Sequence, residues 1–252
     1  MANSNDLDLM TITQSNSLIE AAYDLKVNER RILLYAISRV KNMHDHNLIF
    51  EIYPPDFART FNIDVDRSYG EVRRSAESIR DKKLWVYEDD KTLDINWVTA
   101  RATYKDGMVG LRLNPDLRPL LVRLNQKYTS YKLQNVAGIS KKYSFRLYEM
   151  MKQYDGTGKG TRDISIDFIR ERLMLPPSYS SFKLLNQKIL KPCIKEISDE
   201  TDLIASYEII KEGRKVSKIR FKWAEKKTVI DHEELPVLPD GNEEMFELYR
   251  VD

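Results

Sequence analysis

The stretch FKLLNQKILKPCIKEI, residues 182–197, decides how the rest of the chain is read. Set against a 3.6-residue period, Phe182, Leu185, Ile189, Cys193 and Ile197 fall on one side of a helix, and Gln187, Lys188, Lys191 and Lys195 on the other. One face packs and the other is cationic. Pro192 lies inside this helix and is predicted to kink it, or to end its regular hydrogen bonding near Lys188. Upstream, the spacing predicts a helix over 143–153, a short strand at Ile164 and Ile166, and a helix from Asp167 to Leu173. A Pro176-Pro177 turn then leads into the long helix. Downstream, Lys211-Glu212-Gly213-Arg214 is the turn of a hairpin running from Ala205 to Trp223. Its second strand alternates Ile219, Phe221 and Trp223 with Lys218, Arg220 and Lys222. A helix-turn-helix whose second helix shows Lys, Gln and Asn, followed by a basic hairpin, is the pattern of a winged helix. The second helix of that fold is shaped to enter a major groove.

The earlier half repeats this order. Strand-then-Asp-Phe occurs at Phe50 to Tyr53 with Asp56-Phe57, and again at Asp163 to Ile166 with Asp167-Phe168. A short helix follows each, then a tyrosine (Tyr69, Tyr179), then a long helix with apolar spacing of three and four: Tyr69, Val72, Ala76 in the first copy, Phe182, Leu185, Ile189 in the second. Strands are predicted at 84–87, 95–104 and 108–113. Before the repeat, a helix capped by Asn16 or Ser17 is expected to carry Leu18, Ala21, Ala22 and Leu25. A second, capped by Asn28, carries Ile32, Leu33, Ala36, Ile37 and Val40. Between the halves, Pro115 starts a helix and 128–136 reads as extended. The fold class is α+β: two tandem winged-helix domains related by internal duplication. The expected boundaries are a flexible N-terminus over 1–15, a first domain over 16–137, a second over 138–227, and an acidic tail over 228–252.

Charge is segregated along these units. Residues 1–138 hold 20 basic and 19 acidic side chains, 139–227 hold 20 and 12 (net +8), and 228–252 hold 1 and 8 (net −7). Basic charge sits where phosphate neutralisation would need it. No apolar run reaches the length that spans a bilayer, and the N-terminus is polar and acidic, so the expectation is a cytoplasmic protein with no membrane partner. The single Cys193 lies on an apolar helix face and reads as a core residue.

Two runs imitate catalytic or ligand sites. Residues 156–161, GTGKGT, lack the spacing and the Ser or Thr after lysine of a phosphate loop, and they follow a helix and precede a strand, the reverse of the required order. They read as a connector. His44-Asp45-His46 does not match the strand-borne His pair of a DNA-nicking enzyme, so no metal, no cofactor and no catalytic residue is assigned.

Several segments together resemble a theta-type plasmid replication initiator of the iteron-binding Rep superfamily, over about 16–223. They are NSLIEAAYDL at 16–25 with Glu29 and Arg31, SFRLYE at 144–149 with Tyr154, Leu175-Pro176 followed by Ser178-Tyr179, and CIKEI at 193–197. The resemblance implies two winged-helix domains, monomers that bind repeated origin sequences, and dimers, joined through the first domain, that repress their own promoter. It also implies DNA contact by both long helices, with the second domain as the main reader and host replication proteins such as a helicase or initiator as partners. The DNA-binding candidates are Arg67, Arg73, Arg74 and Arg80 in the first domain. In the second they are Lys183, Asn186, Gln187, Lys188, Lys191, Lys195, Arg214, Lys215, Lys218 and Arg220. Where relatives tend to carry arginines on the second long helix, this chain has Asn186, Gln187 and Lys188, and Asn and Gln favour adenine where Arg favours guanine. The expected function is a non-enzymatic initiator that binds origin direct repeats in double-stranded DNA. The alternatives are a winged-helix transcriptional repressor only, or an origin endonuclease.

Overall fold

The computed structural model describes residues 10–40, 48–88, 90–121, 128–155 and 158–226. In the first half, helix α1 (Val27–Ile37) is followed by strand β1 (Ile49–Ile52), helix α2 (Pro54–Thr60) and helix α3 (Val65–Ser78), and the half ends in the hairpin β2 (Val98–Thr103) and β3 (Val109–Leu113). In the second, helix α4 (Lys142–Lys152) is followed by β4 (Thr161–Ser165) and α5 (Ile166–Arg172). A long helix over 182–200 and the hairpin β5 (Leu203–Glu212) and β6 (Lys215–Glu225) complete it. Each half builds one antiparallel three-stranded sheet, and in both the last strand is central. The orders are β1-β3-β2 and β4-β6-β5. Identical element order with identical strand order is what a duplicated winged helix requires.

The first half carries an insertion. A hairpin of Lys83–Tyr87 and Thr92–Asn96 pairs with the two-residue strand Ala22–Tyr23 and has no counterpart among the described residues of the second half. The single strand expected over 95–104 is therefore two strands in two sheets. The break is at Trp97, fully buried, whose backbone N–H donates to Lys82 (3.2 Å) and whose carbonyl accepts from Asn114 (3.0 Å), so the chain crosses there from one sheet to the other.

Other expectations are corrected locally. Thr11–Ser15, placed in the flexible N-terminus, is a strand paired antiparallel with Tyr128–Lys132, and its Ile12 and Gln14 are fully buried. The helix expected to reach Leu25 stops at Glu20 and is capped by Ser15, whose Oγ accepts from Leu18 N (3.1 Å). Ala22 and Tyr23 then pair with Trp85 and Leu84, and the Tyr23 ring packs edge-on against Trp97 at 5.1 Å. Asn28 does not cap α1. Lys26 does, through the Glu29 carboxylate that accepts from its backbone N–H (2.7 Å). Tyr69, expected on the buried stripe of α3, is 37% exposed; Ser68 turns inward with Val72, Ala76 and Ile79, and the Tyr69 ring lies over Gly107 at the β2–β3 turn. After Lys132 the chain makes one helical turn, Gln134–Ala137, where extension was expected. Leu124 and His44 to His46 lie outside the described residues, as does the acidic tail.

Candidate nucleic-acid interface

The long helix is built as the apolar spacing predicts, with one irregularity. Phe182–Leu185 is α-helical, Asn186–Leu190 is a π turn, and Lys191–Glu200 is α-helical again. Proline has no N–H to give, and its ring crowds the carbonyl four residues back. Pro192 does this to Lys188, and the helix answers with one wide turn in which the Lys191 N–H reaches Asn186 O. Leu185, Ile189, Cys193 and Ile197 are buried as expected, Phe182 is half-buried, and Leu190 and Ile194 join the buried side. Lys183, Gln187, Lys188 and Lys191 form an exposed row on the other side. Cys193 is core: burial pushes its thiol up to about 11.

The remaining candidates do not all stand equally ready for DNA. Asn186 is half-buried, and its carboxamide oxygen accepts from the Tyr207 hydroxyl of β5, so the hairpin sets its orientation. Lys195 pairs with Asp199 one turn on (2.9 Å). Arg220 is held by a fork to Asp163 on the neighbouring strand, Nε at 2.7 Å and Nη2 at 2.9 Å. Arg214 and Lys215 lie exposed at a two-residue turn whose Gly213 has φ +61°, the positive value the first position of a type II′ hairpin turn requires. Lys218 is exposed on β6. In the first domain, Arg67, Arg73, Arg74 and Arg80 are exposed along α3 and just beyond it, interleaved with Asp64, Asp66, Glu77 and Asp81. Arg74 bonds Glu71 (2.9 Å) and Arg80 approaches Asp81 (3.5 Å). A face with interleaved carboxylates should attract phosphate less than the row Lys183, Gln187, Lys188 and Lys191, which has no acidic member.

The Asp163 fork gives a direct test. Asp163→Asn should release Arg220 toward solvent or phosphate. Affinity for duplexes of any sequence should then rise a few-fold, and the salt dependence should steepen by about one unit of log slope. By contrast, Lys191→Ala and Lys218→Ala should each weaken cognate and random duplexes alike and flatten that slope by about one unit, read from titrations at several salt concentrations.

Sequence reasoning missed the polar cluster between α1 and α4. Glu149, on α4 of the second half, has a side chain 1% exposed, and Arg30, on α1 of the first, has one 2% exposed; the two form an ion pair. The same carboxylate oxygen accepts from Tyr131 Oη (2.6 Å) and Gln14 Nε2 (2.9 Å). Arg146, 5% exposed, lies 3.9 Å from the other oxygen, donates to Ala21 O (2.6 Å), and stacks 3.8 Å over the Tyr23 ring. Arg162 Nη2 to Glu20 (2.7 Å) and Lys142 to Asp24 (2.7 Å) add bonds at the edge. The signal was present as Arg146 and Glu149 set among Phe145, Leu147, Tyr148 and Met150, charges within an otherwise buried helix.

Burial opposes the Glu149 charge, but Arg30 and Arg146, with Tyr131 and Gln14, outweigh it and hold its carboxyl below the usual range. Asp155 is lowered in the same way: burial raises it, and Lys152, Trp223 and Glu225 together outweigh that. Depressed carboxyls add stability above their unfolded values and lose it as pH falls through the folded ones. The urea midpoint should therefore hold from neutrality to about pH 5 and fall progressively below about pH 4.

Of the glycine-rich run, Gly156 and Thr157 lie outside the described residues. Gly160, φ +53°, accepts from Trp223 N at 2.8 Å, and a Cβ there would stand 2.6 Å from Trp223 O. Among the described residues, no group of three or more His, Cys, Asp or Glu side chains could hold a metal ion, and no helix is long and apolar enough to cross a membrane.

Residues 11–152 match the family model described as Initiator Replication protein, WH1, and residues 165–223 match Initiator Rep protein, WH2. The chain belongs to the initiator replication protein family. It carries the WH1 and WH2 winged-helix domains of that family, the WH1 match running through α4 to residue 152, and it is a replication initiator. It is 24% identical over 221 residues to a Replication initiation protein of Escherichia coli, covering 84% of this chain and 69% of the relative. It is 22% identical over 272 residues to the PI protein of Escherichia coli, covering 93% and 87%. The crystal structure of Pi initiator protein in complex with iteron DNA matches with a TM-score of 0.75 at 20% identity, over 87% of this chain and 99% of that one. That match places both winged helices of this initiator in the same overall fold.

Proposed function

We propose that this initiator binds repeated sequences in the double-stranded DNA of a plasmid origin, with the second domain, about 138–227, as the main reader. The observation that carries this is the exposed row Lys183, Gln187, Lys188 and Lys191 on a helix whose opposite side is core, followed by a hairpin with Arg214, Lys215 and Lys218 exposed. Such a helix can enter a major groove while the hairpin meets phosphates. The likeness to an initiator crystallised on iteron DNA supports the same reading. Gln187 and Lys188 contact base edges, and Asn186, fixed by Tyr207, lies beside them. Lys191, Lys195 and the hairpin cations contact the backbone. The first domain, about 16–137, adds a weaker DNA contact through Arg67, Arg73, Arg74 and Arg80 and joins two copies in a dimer that represses its own promoter. The protein acts in the cytoplasm by binding and recruiting host replication proteins, without catalysis of its own.

Footprinting on the plasmid that carries the gene tests this. Protection of several direct repeats is expected. Protection of one inverted repeat over a promoter, and nothing else, would leave repression as the function. Single-site nicking of supercoiled origin DNA in Mg²⁺ would make the protein an endonuclease.

A further inference from the structure

Residues 137–141, at the domain boundary proposed above, are gripped from both sides. Arg31, on α1 of the first domain, donates from Nη2 to the carbonyl oxygens of Ala137 (3.3 Å) and Ile139 (3.0 Å). Glu196, on the long helix of the second domain, accepts from Ser140 N (3.1 Å), Ser140 Oγ (2.6 Å), Lys141 N (3.1 Å) and Lys141 Nζ (2.9 Å). The Glu196 side chain is 4% exposed, and a carboxylate so buried and accepting from four donor groups is held firmly. Gly138 lies close beneath the same helix: a Cβ there would stand 2.5 Å from the Glu200 carboxylate, whose exposed side chain would have to shift.

Both grips lead to a DNA-facing helix. Glu196 is in one continuous helix with Gln187 and Lys188, roughly 12–14 Å along its axis. Helix α1, which carries Arg31, is bonded to α3 at two points: Asn28 Nδ2 donates to Glu71 (2.7 Å), and Glu29 accepts from the Ser78 hydroxyl (2.6 Å). The two helices proposed to meet DNA are thus tied to the same five residues, one through Arg31 and the other through Glu196.

We infer that Glu196 and Arg31 are positioning residues that fix the spacing and helical phase between the two blocks of base pairs the domains contact on one duplex. This rests on the proposed two-domain reading of DNA. One inserted base pair turns the second block by about a tenth of a helical turn and moves it about 3.4 Å, which a rigid junction cannot follow. A loosened junction follows it, at the expense of the effective concentration that makes the second contact useful.

The test uses the full-length chain on a duplex carrying one footprinted repeat, with one and two base pairs inserted at each successive step. Wild type should lose about tenfold or more in affinity when the insertion falls between the two blocks. Glu196→Ala should bind the uninterrupted repeat about three- to tenfold more weakly and lose no more than about threefold on that insertion, while insertions inside the second-domain block hurt both proteins alike. Glu196→Gln keeps the volume and one accepting oxygen, and should fall between them. It carries the same comparison if the alanine variant does not fold. An insertion penalty identical to wild type in folded Glu196→Ala or Glu196→Gln would overturn the positioning role. A wild-type chain with no sensitive step outside a single block would overturn the two-domain contact and this role with it.

Discussion

Replacing Glu149 by Ala should lower the free energy of unfolding by about 3–5 kcal/mol, because it leaves two arginines buried without their counter-ion. Arg30 and Arg146 are 2% and 5% exposed at the side chain, so water cannot reach them to compensate. Tyr131 would also lose its acceptor, and Gln14 Nε2 would keep only the longer bond to the Tyr131 hydroxyl. By denaturant titration the midpoint should fall with little change in slope. The converse is equally specific. Replacing Glu149, Arg30 and Arg146 together by Leu or Met should restore much of the loss, since the apolar set carries no desolvation penalty. A Glu149→Ala protein as stable as wild type would show that the two arginines reach solvent or each find another partner.

The second large effect concerns readout. Gln187→Ala and Lys188→Ala should each cost about 1–3 kcal/mol on the cognate repeat, and the double variant roughly 2–5 kcal/mol. On random duplex the double variant should lose only what one fewer phosphate-attracting charge removes. Asn186→Ala is a different case: its oxygen is bonded to Tyr207, so truncation also frees the hairpin from the helix, and Tyr207→Phe should reproduce part of its effect. Equal weakening on cognate and random DNA by the double variant would mean that another element reads the bases.

The elements legible in the sequence were those whose burial repeats locally. Leu185, Ile189, Cys193 and Ile197 announce a helix by spacing alone, and Ile219, Phe221 and Trp223 announce a strand by alternation; all are buried. Pro192 announced its own irregularity. What stayed hidden depends on partners far along the chain. Thr11–Ser15 becomes a strand because Tyr128–Lys132 lies beside it, and nothing in TITQS marks a partner 117 residues away. Trp97 breaks what alternation reads as one strand, because two separate sheets take up its flanks. The buried charged cluster escaped for a related reason. A charged residue is exposed by default, and only the fold shows that Arg30, Arg146 and Glu149 meet in one place. Among the DNA candidates, spacing predicted which residues face outward but not which are already engaged, as Arg220 is by Asp163.

The central claim, that the exposed row on helix 182–200 reads the repeat from the major groove, is tested most directly by methylation interference on the footprinted repeat. Methyl groups at guanine N7 lie in the major groove and those at adenine N3 in the minor groove, so the two modifications separate the routes of access. The account predicts a contiguous block of guanine N7 positions whose methylation abolishes binding of wild type, with interference within that block lost for Lys188→Ala. Interference confined to adenine N3, or a guanine block unchanged by Lys188→Ala, would contradict it.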